Sequence, residues 1–222
     1  MKKILCACAL TSMLVASAVS ASEFTINPMV GASHSKAGGT NAAVGLEAGY
    51  SDFIFGYTYT GDENKNSDTY DFQHPDVNDG ISVSADTFSQ DKYRAHSLYA
   101  GYQFDLGAGH LAVKAGVEMS KYSVGTGFDL RENGDGGITN TAGLNVSGSS
   151  NYEYAPMVGV GYYMDNGLNF NLHYTWQDGQ RDMSYSASAY NAKPVTSPSH
   201  KVKNDVSNRD FSTVMFTVGY RF

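Results

Sequence analysis

From Phe24 onward, apolar and polar residues take turns in short runs separated by polar or glycine-rich spacers. The clearest run is LNFNLHYTWQ (168–177), where Leu168, Phe170, Leu172, Tyr174 and Trp176 alternate with Asn169, Asn171, His173, Thr175 and Gln177. A repeat of two is the repeat of a strand, whose successive side chains point to opposite faces. Segments of this kind fall at 24–34, 42–50, 53–60, 93–104, 110–121, 152–164, 168–177 and 211–222. The pattern therefore predicts eight strands and no helix.

The spacers alternate in length as well. SD (51–52), DLGAG (105–109) and DNG (165–167) are tight, whereas 61–92, 122–151 and 178–210 are long and polar. Strands of about nine to twelve residues, with tight turns at one end and long loops at the other, predict an all-β, eight-stranded, antiparallel up-and-down barrel that crosses a membrane. An even count places both ends of the chain on the tight-turn side, facing the periplasm. A secreted sandwich would also alternate, but its second face should be charged and solvated. Here that face is mostly Gly, Ser, Thr, Asn and Tyr, which suits a narrow barrel interior.

Composition agrees with this reading. Tyr (16), Phe (11) and Gly (24) are plentiful while charged residues make up only 17%, a balance that favours strands over helices. Residues 1–21 have a basic start (Lys2, Lys3), an apolar run and small residues before Ser22, the layout of a cleaved secretory signal, leaving 22–222 as one barrel domain. Cys6 and Cys8 depart with it, so no disulfide is expected. The mature chain has 13 basic and 22 acidic residues, a net charge of −9. Nucleic acid and anionic lipid surfaces are unsuitable partners for so acidic a chain.

Lipid on the outside requires the apolar set to face outward. Aromatics at strand ends then form two interfacial girdles: Tyr50, Phe53, Phe104, Tyr220 and Phe222 at the periplasmic end, Tyr59, Tyr174 and Trp176 at the outer end. The opposite parity places Glu47, Gln103, Lys114, Glu118, His173 and Arg221 in the lumen. Two acids and two bases in so narrow a space are expected to pair, because an unpaired buried charge is costly. Pro28 and Pro156 are awkward inside closed strands, since each lacks a ladder donor.

The terminal segment VGYRF (Val218–Phe222) resembles the ends of small eight-stranded outer-membrane barrels of the OmpX/Ail type. LYAGYQFDLG and VGVGYYMDNGLNFNLHYTW resemble strand–turn–strand hairpins of the wider group that includes the OmpA transmembrane domain. The layout is also similar to that of the accessory colonisation factor A group. This resemblance implies that Val218, Tyr220 and Phe222 form the signal read by the barrel-assembly machinery. It implies an outer-membrane location, contact with outer-membrane lipid and lipopolysaccharide, and outer loops that meet a host surface ligand in adhesion, colonisation or resistance to host defence.

The remaining chemistry is sparse. Asp62, Asn64, Asn66 and Asp68 alternate as in a calcium loop, but the sixth position is Ser67 rather than Gly and the twelfth Gln73 rather than Glu, so the expectation is a solvated acidic loop and no metal or other cofactor. Loop 178–210 carries Arg181, Lys193, Lys201, Lys203 and Arg209 against four acids; these cations could reach lipid phosphates or an acidic host polymer, but the expectation is an ordinary mixed-charge loop. A lipid-modifying barrel enzyme would need a histidine two places from a serine on one strand face. Only His173 with Thr175 comes near, and both point inward, so no enzyme is expected. A small-solute channel is the other alternative, which conductance in a planar bilayer would reveal.

Overall fold

The computed structural model describes residues 24–36, 38–73, 82–134, 137–177, 181–191, 200–206 and 210–222. The expected signal segment lies outside them. The described residues form eleven strands: β1 (Phe24–Ser35), β2 (Gly39–Tyr50), β3 (Phe53–Gln73), β4 (Ser82–Asp105), β5 (His110–Gly134), β6 (Gly137–Ser150), β7 (Glu153–Tyr163), β8 (Leu168–Thr175), β9 (Arg181–Asn191), β10 (His200–Val206) and β11 (Thr213–Tyr220).

Eight of these close a ring. Antiparallel pairing runs β1–β2–β3–β4–β5–β7–β8–β11 and returns to β1, with Met29–Ser35 against Thr213–Gly219. Past that ladder, Ile26 and Phe222 exchange both backbone hydrogen bonds, at 3.2 and 2.9 Å. The fold is thus the expected eight-stranded antiparallel barrel. The three predicted tight turns sit where the spacers placed them. Gly167, at φ 90°, turns the chain from β7 into β8, a conformation that L side chains avoid.

The ring also accommodates both prolines. Pro28 stands two residues from Ile26, so its missing N–H points toward β11, beside the sealed pair at Phe222. Pro156 accepts from Trp176 N through its carbonyl at 3.1 Å, just beyond the β7–β8 ladder, which begins at Met157. Each missing donor therefore falls at the edge of a ladder.

The long outer segments differ from expectation. Residues 61–92 and 122–151 are not loops over most of their length but continuations of strands. β3, β4 and β5 run for 21, 24 and 25 residues, about twice what a bilayer crossing needs. Beyond the barrel rim they add roughly 35 Å of sheet. Residues 178–210 likewise contribute β9 and β10. The physical reason lies in β5. Its lower half, His110–Ser120, pairs with β7 inside the ring, while its upper half, Ser123–Gly134, pairs with β6. β6 then pairs with β9, and β9 with β10. A six-stranded wall, β3–β4–β5–β6–β9–β10, therefore rises from one side of the barrel.

The two faces of this sheet exchange character at the rim. Within the barrel, Val113, Val117, Leu98, Phe55, Leu172 and Phe216 point outward and are exposed, whereas Lys114, Glu118, Thr58 and Asn171 point inward and are buried. Above Lys121 and Tyr122 the same parity carries the opposite chemistry. Ser123, Gly125, Ser147, Ser149, Ser184 and Ser186 now lie outward; Val124, Phe128, Leu130, Leu144, Val146 and Tyr185 lie inward. A strand with lipid on one side below the rim and water on that side above it needs this reversal.

Candidate functional site

The interior is built in layers. At the tight-turn end, Ile54, Ala112 and Tyr163 pack together, with Met29, Tyr99 and Met157 next. At the outer mouth Tyr93, Ala95, Tyr122, Met183 and Phe211 form a larger cluster, flanked by Val124 and Tyr185. Aromatic rings thus cross the lumen at three heights and leave polar side chains between them.

Glu47 is the hub of the lower polar layer. Its carboxylate pairs with Lys114 and accepts hydrogen bonds from Tyr99 Oη (2.8 Å), Tyr163 Oη (2.6 Å) and Asn27 Nδ2 (2.6 Å). Lys114 also donates to Asn171 Oδ1 at 2.6 Å and lies over the Tyr99 and Tyr163 rings, 5.2 and 5.3 Å from their centroids. Asn171, Asn169 and Asn27 continue the chain of amides at 2.9 and 2.8 Å. A buried ion pair is tolerated when additional hydrogen bonds satisfy its remaining valences, and this network supplies them.

The second expected pair does not form. Arg221 instead donates to Gln103 Oε1 at 3.0 Å and stacks 5.4 Å from the Tyr163 centroid, at the tight-turn end. Glu118 lies far along its strand toward the mouth, where it accepts from Thr175 (3.1 Å), Ser97 (3.3 Å) and Tyr93 (3.3 Å). Arg181, expected on a solvated loop, is buried at the mouth. It donates to Ser120 Oγ at 2.6 Å and sits 3.8 Å from the Phe211 ring centroid. Ser120 and Gln177 complete this upper layer at 2.9 and 2.7 Å.

His173 is buried between the layers, 4.9 Å from the Tyr99 ring centroid, and makes no hydrogen bond to Thr175, whose hydroxyl serves Glu118. The His173–Thr175 pair is therefore not arranged as a base and nucleophile. Asn64, Asn66 and Asp68, with Asp62, occupy alternate positions of β3 paired along β4. Alternate residues of a strand stand roughly 7 Å apart, so these four spread along about 20 Å and do not encircle one ion. Among the described residues no cluster of three or more His, Cys, Asp or Glu side chains is arranged around a metal position.

The residues assigned to the girdles are on the outer surface. Tyr50 is 58% exposed, Trp176 56% and Phe222 63%. Phe53 meets Tyr102 edge-on at 5.4 Å, and Tyr102 meets Phe104 at 5.0 Å; Tyr220 meets Phe222 at 5.0 Å. At the other end Tyr174 and Trp176 cross at 4.7 Å, while Tyr59 and Tyr57 flank His96, which bonds Tyr57 Oη at 2.7 Å. Val218 points outward on β11 between Phe216 and Tyr220.

Tyr99, Tyr163, Asn27 and Arg181 were not among the expected lumenal residues. Inward parity was the available signal for Tyr99 and Tyr163, each one step from an outward apolar residue. Gly56 makes the Tyr99 position workable, because a Cβ there would collide with the Tyr99 ring. Gly56→Val is expected to push that ring off Glu47 and to destabilise the barrel by about 1–3 kcal/mol, read as a lower urea midpoint in phospholipid vesicles.

No family model matches the chain, and no curated protein matches it. Solved structures do. CarO of Acinetobacter baumannii is 14% identical, with 88% of this chain and 97% of that one covered, at a TM-score of 0.38. A major outer membrane protein from Thermus thermophilus is 12% identical, with 90% and 99% covered, at 0.48. Ail, the attachment invasion locus protein of Yersinia pestis, in complex with the heparin analogue sucrose octasulfate, is 10% identical, with 90% and 97% covered, at 0.35. The chain is similar to small outer-membrane β-barrels. The fold itself rests on the closed strand ladder, not on these scores.

Proposed function

We propose that this protein is an outer-membrane barrel whose task is to hold a six-stranded sheet above the cell surface for contact with other surfaces. The observation that carries the reading is the continuity of β3, β4 and β5 from the lipid-facing zone into the wall, unbroken by any loop at the rim. A barrel that served only as a membrane plug would need none of this. Side chains fill the barrel interior at three heights, so transport through it is not the reading the geometry favours.

Anchorage follows from the two aromatic girdles, and assembly is assigned to the outward set Val218, Tyr220 and Phe222. The wall presents Tyr70 and Phe72, both more than half exposed, among Asn64, Asn66, Asp68 and Asp71 on β3. Glu63 on the same strand is held down to about 2 by hydrogen bonds from Lys65 and Lys92, at 2.8 and 3.1 Å. A depressed carboxyl keeps its partners while ionised, so this link is complete above the ordinary carboxyl range and is lost as pH falls through about 2.

Adhesion of the kind expected here comes from many polar and tyrosine contacts on a rigid support. Cells displaying a chain that lacks 62–91 are expected to lose binding to host epithelium, with the barrel still assembled as judged by heat-modifiable migration. Unchanged binding by that deletion, and by a separate deletion of 180–208, would remove the support for surface interaction.

A further inference from the structure

The polar networks of the lumen leave one side chain out. His173 is 2% exposed, yet neither of its ring nitrogens has a hydrogen-bonding partner among the described residues. A buried polar group left so is costly, and its place in the barrel calls for a reason. Opposite it on β7 stands Gly159, and the imidazole lies over that glycine, where a Cβ would fall 3.2 Å from Nε2. Met157 is the next inward residue of β7 toward the mouth. On the other side, β11 sets Met215 directly across from His173, at the separation of cross-strand neighbours. Both methionines are buried. Three consecutive strands of the ring, β7, β8 and β11, therefore send inward a thioether, an imidazole and a thioether.

The surrounding charges suit a cation at this point. Glu118 is fully buried, and Thr175, the next inward residue of β8 after His173, donates to it. Its other donors are the hydroxyls of Ser97 and Tyr93. Among the described residues no basic side chain forms an ion pair with Glu118, and Arg181 donates to Ser120 instead. On the opposite side, Lys114 is already matched by Glu47. A single positive charge held by His173 would face the Glu118 carboxylate across Thr175. The Tyr99 ring, beside the imidazole, adds an aromatic face of the kind cations favour.

The donor set chooses the ion. Calcium and magnesium take oxygen ligands, and zinc takes thiolate, imidazole or carboxylate. Thioether sulfur is uncharged and soft, and it selects Cu(I). We propose that Met157, His173 and Met215 bind one Cu(I) ion inside the barrel, through an imidazole nitrogen and two sulfurs, with the Glu118 carboxylate nearby as the balancing charge. Such a site needs no cluster of carboxylates or thiols. Its ligands lie on the strands that lead into the closing seam, so the ion ties β7, β8 and β11 together and stabilises the closed ring. Aromatic layers shut the lumen above and below, and the ion is taken up as the ring closes. The site lies in the barrel and not in the wall, so it stands apart from surface contact.

The test refolds the full mature barrel into detergent micelles with Ag(I), a redox-inert ion of the same charge and softness, in chloride-free buffer. Wild type is expected to retain one Ag(I) per chain through gel filtration and to show a higher urea midpoint with the ion than without it. Met157→Leu and Met215→Leu are swaps of nearly equal volume that leave the core filled. Each should weaken binding by about tenfold or more, since even an indirect partner of a metal is worth that much. The two together should abolish retention, whereas Met183→Leu, a buried methionine at the mouth, should bind as wild type does. Heat-modifiable migration shows that each variant has closed. X-ray absorption on wild type refolded with Cu(I) reads the ligands without any substitution, and should find both sulfur and nitrogen beside the ion. Wild type that retains no Ag(I), a closed double variant that retains it as well as wild type, or Met183→Leu weakened as much as Met157→Leu overturns the proposal. Oxygen and nitrogen neighbours without sulfur overturn it equally.

Discussion

Glu47→Ala is expected to cost this barrel about 3–5 kcal/mol, the usual result of removing one partner from a buried ion pair. The reason is the number of groups left behind. Lys114 would remain buried without its carboxylate, and Tyr99, Tyr163 and Asn27 would each lose an acceptor. Rings close the lumen above and below, so bulk water offers those donors no ready substitute. Equilibrium unfolding in urea, in phospholipid vesicles, reads the loss directly. The informative comparison is Glu47→Met combined with Lys114→Met. Replacing both charges by apolar groups of similar length should recover most of the loss, since breaking a buried pair is far more costly than removing it. A double variant as unstable as the single one would show that the hydroxyls and amides, not the ion pair, organise this layer.

The second large effect concerns position along the outward face. Leu172→Arg, on β8 at mid-height, is expected to destabilise the barrel by about 2–4 kcal/mol, the penalty for a cation on the lipid face of a barrel near the bilayer midplane. Leu172 is exposed, and its cross-strand neighbours are Val160 and Phe216, so nothing polar stands near to receive a guanidinium. Ser147→Arg, also outward but above the rim, should change stability by no more than about 0.5 kcal/mol, as surface substitutions do. The same unfolding measurement made on both variants locates the outer membrane boundary. Equal and small effects would mean that hydrocarbon does not cover Leu172, and the barrel reading would fall.

How far the sequence foretold this structure depends on the solvent each segment meets. In LNFNLHYTWQ the outward residues are uniformly apolar and the inward ones polar, so lipid writes the alternation in large letters. In KYSVGTGFDL (121–130) the alternation persists, with Val124, Phe128 and Leu130 on one side, but Thr126 interrupts that side and Ser123, Gly125 and Gly127 on the other lower its contrast. It reads as a polar loop because a strand with water on one face and a shallow apolar face on the other lacks the aromatic weight of a membrane crossing. GDENKNSDTYDFQ (61–73) offers still less, and its strand character comes from pairing with β4, a tertiary cause. Lumenal Glu47, Lys114 and Gln103 were legible from parity alone. Arg181 was not: its burial depends on Phe211 and Ser120, which stand 30 and 61 positions away in the chain, and no local pattern announces them.

The sealing of β1 against β11 has a kinetic consequence. Met29 and Thr217 touch although 188 positions separate them. Contacts so remote are slow to form, because the whole intervening polymer must be gathered before they reward it. Until β11 arrives, β1 presents an unsatisfied edge to whatever is near, and an unsatisfied edge invites foreign strands. The hairpins can zip early, each from its own tight turn. The closing stitch must come late, and a chaperone that shields the first strand while delivering the final one would govern how fast this protein matures.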